Sequence, residues 1–307
     1  MSGSQHGTGL FIPGAVRIVD YNAACNTLLV RGGAAFGASN FTDPAQLLAA
    51  IEADPHYPAV QQAGIDLGAI SRLVDVCLIG YGAGSADQAY VEAELAWFTP
   101  NPPAVDGNQG PYPTLVPLDN AYRLNGAPLS GVMLYWPVQS LPPPSPDQAG
   151  GLWTAPAPGS SISPQRNGPG SGFDFQGLIP ALQQILNNYY PALNPRLTSG
   201  YAALSDVSNA IVYVHCDSGV NRTGAAILAY LMTWGSNLAA CGLPHHAGPV
   251  ATLAQGLSAV SAILPANAPP APGQYGADLP VVQAYGNYLL TGAYNAPLDA
   301  DMAPPDP

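Results

Sequence analysis

The chain of 307 residues is nearly half apolar and carries few charges. Only 8% of its residues are charged, against about a quarter in an average globular protein. It contains no lysine, and its seven arginines against 19 acidic residues give a formal net charge of −12. Because nucleic acids and anionic membrane surfaces are bound by basic patches, we expect neither to be a principal partner.

The sequence also leads to expectations about the cellular location and the cofactors of the protein. The sequence has no run of about 18 apolar residues and no charged-then-apolar N-terminal segment, so we expect a cytoplasmic protein without a membrane span. The four cysteines, which are Cys25, Cys77, Cys216 and Cys241, have neither metal-ligand nor disulfide spacing. We therefore expect no metal and no cofactor. The 34 glycines and 34 prolines are clustered and predict long loops.

Short apolar runs alternate with helical periodicity in the first third of the chain, after a Gly/Ser-rich lead-in at residues 1–14. Strands are predicted at 15–20, 27–31 and 73–79, and helices at 43–51 and 86–97. Asp43-Pro44 marks a helix start, since proline suits the first helical turn. We expect Glu92 and Glu94 of the second helix to be solvated.

The later part of the chain contains a long segment of low apolar content. A strand at 131–138 is followed by the Pro/Ser/Gly-rich residues 139–172, for which we expect a lid or an insertion. Helices are predicted at 174–186, 250–263 and 281–290, and a frayed acidic tail at 296–307. The elements predict a single α/β domain over residues 15–295, with a central, mostly parallel sheet flanked by helices.

The chain is organised around residues 211–224. The apolar run from Ile211 to Val214 predicts a buried strand, and the apolar residues after Arg222 predict a helix. Between them, the loop and the helix N-terminus turn free backbone N–H groups toward one place, which favours an anion. Cys216 begins this loop and Arg222 ends it. A helix N-terminus and a guanidinium both favour the thiolate, and the guanidinium can bind two phosphate oxygens, so the pattern suits a phosphocysteine intermediate.

The motif His215-Cys216-x5-Arg222-Thr223-Gly224 resembles the signature loop of the cysteine-dependent protein tyrosine and dual-specificity phosphatase superfamily. The resemblance implies a phosphatase-like fold and makes Cys216 the nucleophile and Arg222 a phosphate ligand. It implies that Thr223 stabilises the departing thiolate and that His215 helps to set the cysteine pKa. The other loop residues expected at the phosphate are Asp217, Ser218, Gly219, Val220 and Asn221.

Two further segments resemble elements of the same superfamily. Arg31-Gly32-Gly33 is similar to an Arg-x-Gly element that follows the first strands of compact members, although alone it favours a turn over a site. Trp136-Pro137 is similar to the start of a mobile Trp-Pro-Asp loop, but Val138 stands where that loop has its general acid. The departure leaves the acid to be found elsewhere.

Asp147 and Asp174 are the candidate acids. Asp147 lies just beyond Trp136-Pro137, and we favour it; Asp174 precedes an apolar helix, where it serves equally well as an N-cap. Asp217 is a poor candidate because it directly follows the nucleophile, where its charge opposes thiolate formation.

The predicted substrate is phosphotyrosine or a similar phosphomonoester, on a protein or a small molecule. The signature loop has an aspartate and no lysine, which disfavours polyphosphorylated inositols. Aromatic residues that could line a slot are Tyr135, Trp136 and Trp153. The alternatives are a catalytically weak phosphate-binding module and another thiol enzyme, such as a sulfurtransferase or an arsenate reductase. A reductase also needs a resolving cysteine, and neither Cys77 nor Cys241 is close to Cys216 in sequence.

Overall fold

A computed structural model of the protein describes residues 10–80, 86–102, 114–136, 175–188, 207–219 and 221–242. Within these residues the chain is mixed α/β, with helices around a six-stranded, mostly parallel sheet, as the sequence predicts. The strands are β1 (Arg17–Asn22), β2 (Thr27–Gly32), β3 (Arg72–Cys77), β4 (Thr114–Pro117), β5 (Arg123–Leu124), β6 (Ala127–Pro128), β7 (Ser130–Tyr135) and β8 (Ala210–His215). β5 and β6 form a separate hairpin.

The sheet has the order β1-β2-β8-β3-β7-β4. Its four inner strands are parallel, and β1 and β4 are antiparallel to their neighbours at the two edges. β8 therefore has a parallel neighbour on each side, and all six of its residues are buried. This position explains the continuous apolar run of β8, since parallel strands are covered on both faces. It also brings the residue after β8 to the carboxyl edge of the sheet.

The helices are α1 (Ala45–Glu52), α2 (Tyr57–Gln62), α3 (Ala86–Phe98), α4 (Phe175–Leu186) and α5 (Asn221–Trp234). Short 3-10 helices occupy Pro13–Ala15, Leu67–Ala69 and Asn237–Cys241. α4 and α5 pack against each other and contact β2 and β8. No helix in the described ranges is long and apolar enough to cross a membrane.

Most of the predicted elements that fall on described residues are confirmed. Helix α2, edge strand β4 and the β5–β6 hairpin were not predicted. The predicted helices at 250–263 and 281–290, the segment 139–172 and the tail 296–307 lie outside the described residues.

Aromatic rings hold α3 over one face of the sheet. The Phe36 ring lies 5.7 Å from that of Tyr213 on β8, and 4.7 and 5.6 Å from those of Trp97 and Phe98 on α3. The pairs with Phe98 and Tyr213 are edge-to-face, an arrangement that adds to the stability that burial provides. Because alternate residues of a strand share a face, Tyr213 and His215 lie on the same side of β8, toward α3. The last two turns of α3 are therefore fixed beside the end of β8.

Candidate active site

The loop after β8 depends on a glycine. Cys216 directly follows β8, and α5 begins at Asn221; Val220 lies outside the described residues. Gly219 has φ of +73°, a left-handed conformation that residues with a Cβ rarely adopt. A Cβ at this position would also collide with the backbone carbonyl of Gly32. The loop therefore turns tightly against the end of β2.

The segment Arg31–Ala34 supports the loop from below. The guanidinium of Arg31, a residue only 1% exposed, donates a hydrogen bond to the carbonyl of Gly219. The Ala34 N–H donates to the carbonyl of Asp217 over 2.8 Å. Arg31-Gly32-Gly33, which the sequence favours as a simple turn, is thus a structural support of the signature loop. The prediction of a turn was wrong for Arg31 and Gly32, which are the last two residues of β2. The sequence does not reveal the supporting contact because it joins residues 188 positions apart.

The structure brings Cys216 and Arg222 together. Cys216 is almost fully buried, and Arg222 lies in the first turn of α5 with its side chain 11% exposed. Burial alone would lower the pKa of Arg222, but its neighbours Cys216 and Asp87 on α3 raise it above its usual value. Arg222 Nη2 lies 3.2 Å from Asp87 Oδ2. The guanidinium is therefore a permanent positive charge beside the cysteine.

A second, fully buried group of charges lies beneath the loop. His215 Nε2 is 2.8 Å from Glu94 Oε1 on α3 and 3.1 Å from Asp75 Oδ1 on β3. The other ring nitrogen, Nδ1, is 3.2 Å from the Cys216 carbonyl. Burial alone would lower the pKa of His215, but Glu94 and Asp75 raise it well above its usual value. Burial and the neighbouring Glu94 likewise raise the pKa of Asp75.

The prediction that Glu94 is solvated was wrong, whereas Glu92 is exposed as expected. Glu94 is only 1% exposed because its side chain turns inward to His215. Asp75 could have given a signal, since it is the only charged residue in the apolar run 73–79. A carboxylate in a buried strand needs a partner, and the chain supplies one from β8.

Cys77 lies next to this group of charges. It is in register with His215 on the neighbouring strand, and its thiol, the Glu94 carboxylate and the His215 ring place ligand atoms within 4.8 Å of one another. A tetrahedral zinc would separate its ligand atoms by about 3.3 Å. The distances of 2.8 and 3.1 Å from His215 Nε2 to the carboxyl oxygens are shorter than this separation, as expected for ion pairs without a metal between them. A proton therefore fits between these groups better than a metal ion.

Some of the remaining predicted site residues lie within the described residues, and others lie outside them. Thr223 is fully buried, and its hydroxyl has no hydrogen-bond partner within the described part of the chain. Within the loop, Ser218 is exposed and Asp217 is half-buried. The candidate acids Asp147 and Asp174 lie outside the described residues, as does Trp153. Both other aromatic residues considered for a substrate slot, Tyr135 and Trp136, are fully buried in the core.

No protein-family model matches the chain, and no curated protein matches it. What the site does is therefore inferred from its chemistry.

Proposed function

We propose that the protein hydrolyses phosphomonoesters through a phosphocysteine intermediate, with phosphotyrosine or a similar phosphomonoester as substrate. The observation that carries this proposal is the buried Cys216 beside the charged Arg222, on a loop that joins a strand end to a helix N-terminus. Helix N-termini attract phosphate through free N–H groups and the helix dipole, and a guanidinium adds a forked donor. A phosphate held there presents its phosphorus to the cysteine sulfur.

The proposed reaction has two steps. The Cys216 thiolate attacks phosphorus, the bond to the leaving oxygen breaks, and that oxygen takes a proton from an acid. Water then attacks the phosphocysteine, the S–P bond breaks, and inorganic phosphate leaves with the thiolate restored. Arg222 and the loop amides would balance the charge on the phosphoryl oxygens in both transition states. The buried Thr223 hydroxyl, which has no partner among the described residues, would stabilise the departing thiolate.

Asp87 enters as an acidic residue at the site that the sequence did not suggest. Its side chain is one-third exposed and contacts Arg222 on one side of the guanidinium. This contact supports a role in which Asp87 orients the Arg222 guanidinium. Asp87 would bind one edge of the guanidinium and leave its other N–H groups for phosphate. Asp147 remains our proposed general acid, with Asp174 as the alternative.

The charges near the pocket favour a substrate with a single phosphate. Among the described residues from Cys216 to Arg222, Arg222 is the only cation, and Asp217 adds an acidic side chain. A second phosphate group on the substrate would need a further cation that these residues do not provide. A phosphomonoester of a protein side chain or a small alcohol fits this charge balance.

The arsenate reductase alternative is disfavoured by Cys77. This thiol is close to the site, in register with His215, so distance in sequence was not a sound objection to it. Burial and the charge of Glu94 raise its pKa well above the usual value, so the group stays a neutral thiol. A resolving cysteine must attack as a thiolate, which Cys77 is poorly placed to form.

Hydrolysis of para-nitrophenyl phosphate by the full chain tests the proposal. We expect turnover by the wild type, none by Cys216→Ser, and a phosphorylated Cys216 peptide in acid-quenched samples. Cys25→Ser, which changes a thiol far along the chain from the loop, is the matched control and keeps its activity. Turnover by Cys216→Ser would contradict the mechanism. A folded wild type that binds vanadate without turnover would favour the phosphate-binding module, and one that does neither would exclude both.

The pH dependence of the same assay identifies the acid. Replacing the general acid removes the fall in rate at high pH, because that limb reports loss of its proton. We expect this result for Asp147→Asn and a retained high-pH limb for Asp87→Asn. The same result for Asp174→Asn instead would assign the acid to that residue.

A further inference from the structure

The surroundings of His215 favour a proton on each ring nitrogen. Nδ1 faces the Cys216 carbonyl, and Nε2 faces oxygens of Glu94 and Asp75. The Cys216 carbonyl and an ionised Glu94 carboxylate can only accept hydrogen bonds. A neutral imidazole has one N–H, so one ring lone pair would face an acceptor, whereas an imidazolium donates from both nitrogens. The geometry therefore matches the charged ring.

The two carboxyl groups require one further proton. Asp75, Glu94 and His215 are all buried, so two carboxylates and one imidazolium would leave an uncompensated negative charge in the core. Burial, followed by the charge of Glu94, raises the pKa of Asp75, which makes Asp75 the protonated acid. The shorter of the two distances, 2.8 Å, is the one to Glu94, as expected if Glu94 is the ionised partner of the ring. The group is then neutral as a whole.

The other groups that face His215 are uncharged. From β3 and β8 come Cys77 and Tyr213, whose ring stacks 5.5 Å from the imidazole. Burial raises the pKa of both, so neither is ionised near neutral pH. From β7, Tyr135 lies in register with Cys77, and a phenol is normally neutral below about pH 10. Glu94 is thus the one negative charge facing the ring among the described residues.

We propose that Glu94 and Asp75 are positioning residues that keep His215 protonated, so that a buried imidazolium holds the Cys216 carbonyl and places a fixed positive charge under the nucleophile. Glu94 supplies the countercharge, and Asp75 stays neutral beside the ring, 3.1 Å from Nε2. The effect on the nucleophile rests on the proposed function, whereas the protonation of the ring does not. The two parts are therefore tested separately.

The first test is the side-chain ¹⁵N NMR spectrum of histidine-labelled full-length protein, with the His215 signals assigned from His215→Asn. In the wild type we expect His215 to remain protonated from about pH 5 to 8, the range in which an ordinary histidine loses its proton. In Glu94→Gln, which removes the countercharge with little change of shape, the ring should be neutral over most of this range. Asp75→Asn replaces a neutral acid by a neutral amide and should keep the ring protonated.

Glu92→Gln is the matched control for this experiment, since Glu92 lies on the exposed side of α3, and it should leave the His215 titration unchanged. A wild-type His215 that is neutral or titrates within the range would overturn the proposal. So would a ring that stays protonated in Glu94→Gln, or one that becomes neutral in Asp75→Asn alone. Stoichiometric zinc binding by the full chain, lost in Cys77→Ser, would assign the cluster to a metal instead.

The second test measures Cys216 itself without relying on turnover. The rate of alkylation of Cys216 by iodoacetamide is followed against pH by mass spectrometry of its peptide. In Glu94→Gln we expect half-maximal reactivity at a pH at least one unit higher than in the wild type. The kcat/KM for para-nitrophenyl phosphate should fall at least tenfold, mostly through kcat. Equal alkylation profiles in Glu94→Gln and Glu92→Gln would overturn the link from His215 to the nucleophile. A shifted profile in a protein without turnover would reject the proposed function alone.

Discussion

Helix α3 supplies two acidic side chains to the signature loop, and their surroundings differ sharply. Asp87 in the first turn pairs with Arg222 where both side chains are partly exposed, 33% and 11% respectively. Glu94 pairs with His215, and both are buried. The two acids are seven residues apart, which is close to two helical turns, so they lie on the same stripe of α3.

The two pairs differ in how easily they can be broken. A partly exposed ion pair contributes about 0–1 kcal/mol, because water and salt compensate for each charge when the contact is lost. Removing one partner of a buried pair leaves a charge that nothing compensates, at roughly 3–5 kcal/mol. Glu94 therefore makes a fixed contact beneath Cys216, whereas Asp87 makes an exchangeable contact that, under the proposed function, an arriving phosphate would rearrange. Helix α3 thus provides both a fixed, buried contact and an exchangeable, partly exposed contact to the loop.

The largest expected effect follows from truncating the buried acid. We expect Glu94→Ala to lower the free energy of unfolding at neutral pH by roughly 3–5 kcal/mol, because it removes the countercharge of His215 and leaves a cavity. Urea denaturation followed by circular dichroism measures the change. Glu92→Ala on the same helix should change stability by less than about 0.5 kcal/mol. A loss below about 1 kcal/mol for Glu94→Ala would mean that water reaches the pair.

Asp20 separates the effect of burial from that of a countercharge. It is buried like Asp75, but its partners are neutral donors, namely the Tyr230 hydroxyl and the N–H groups of Tyr21 and Asn237. Burial outweighs these hydrogen bonds and raises the pKa of Asp20 to about 6 from an ordinary 3.8. Between these values the native state binds more protons than the unfolded state, so stability falls as the pH rises.

The expected loss from Asp20 between about pH 4 and pH 7 is on the order of 3 kcal/mol. Urea denaturation gives the free energy of unfolding of the wild type and of Asp20→Asn at both pH values. The loss due to Asp20 is the change between the two pH values in the wild type minus the change in the variant. The variant should lose this part of the pH dependence, whatever its absolute stability. The same pH dependence in both proteins would show that neutral donors alone suffice to hold the ionised carboxylate.

The next largest effect on stability is expected from Arg31, which supports the loop after β8. Arg31→Met removes the buried guanidinium that donates to the Gly219 carbonyl while keeping much of the side-chain volume. We expect a loss of about 1.5–3 kcal/mol in the free energy of unfolding, since the hydrogen bond involves a charged group, together with weaker vanadate binding. The exposed Arg123, whose guanidinium bonds only within its own hairpin in the described contacts, provides the control Arg123→Met. Equal effects of the two substitutions would show that the loop keeps its shape without Arg31.

The sequence predicts the frame of the fold because that frame follows from local patterns. The apolar runs of β3, β7 and β8 and the periodicity of α1, α4 and α5 are properties of neighbouring residues. Strand β4 escapes prediction because it is four residues long, ends in Pro117 and depends on pairing with β7. The hairpin strands β5 and β6, of two residues each, are shorter still.

The candidate site likewise has a part that the sequence predicts and a part that it does not. Cys216 and Arg222 are six positions apart on one motif, so the sequence is enough to bring them together. The pairs that complete the site join distant segments: Asp87 is 135 residues from Arg222, and Arg31 is 188 residues from Gly219. Helical periodicity also cannot distinguish a glutamate that faces water from one that faces a buried histidine. Glu92 and Glu94 look alike in the sequence, and only the position of α3 against β8 separates them.

The smallest expected effect on stability comes from replacing Asp87, in the first turn of α3. Asp87→Asn should change the free energy of unfolding by less than about 1 kcal/mol, and the change should shrink further in high salt, because both partners are partly exposed. Its effect should appear instead as a change of a few-fold in vanadate affinity, since the guanidinium loses the contact that orients it. Urea denaturation at two salt concentrations and vanadate titration measure the two quantities. A loss of stability as large as that of Glu94→Ala would mean that Asp87 is equally fixed. An arriving phosphate would then have to bind the free edge of Arg222 without displacing Asp87.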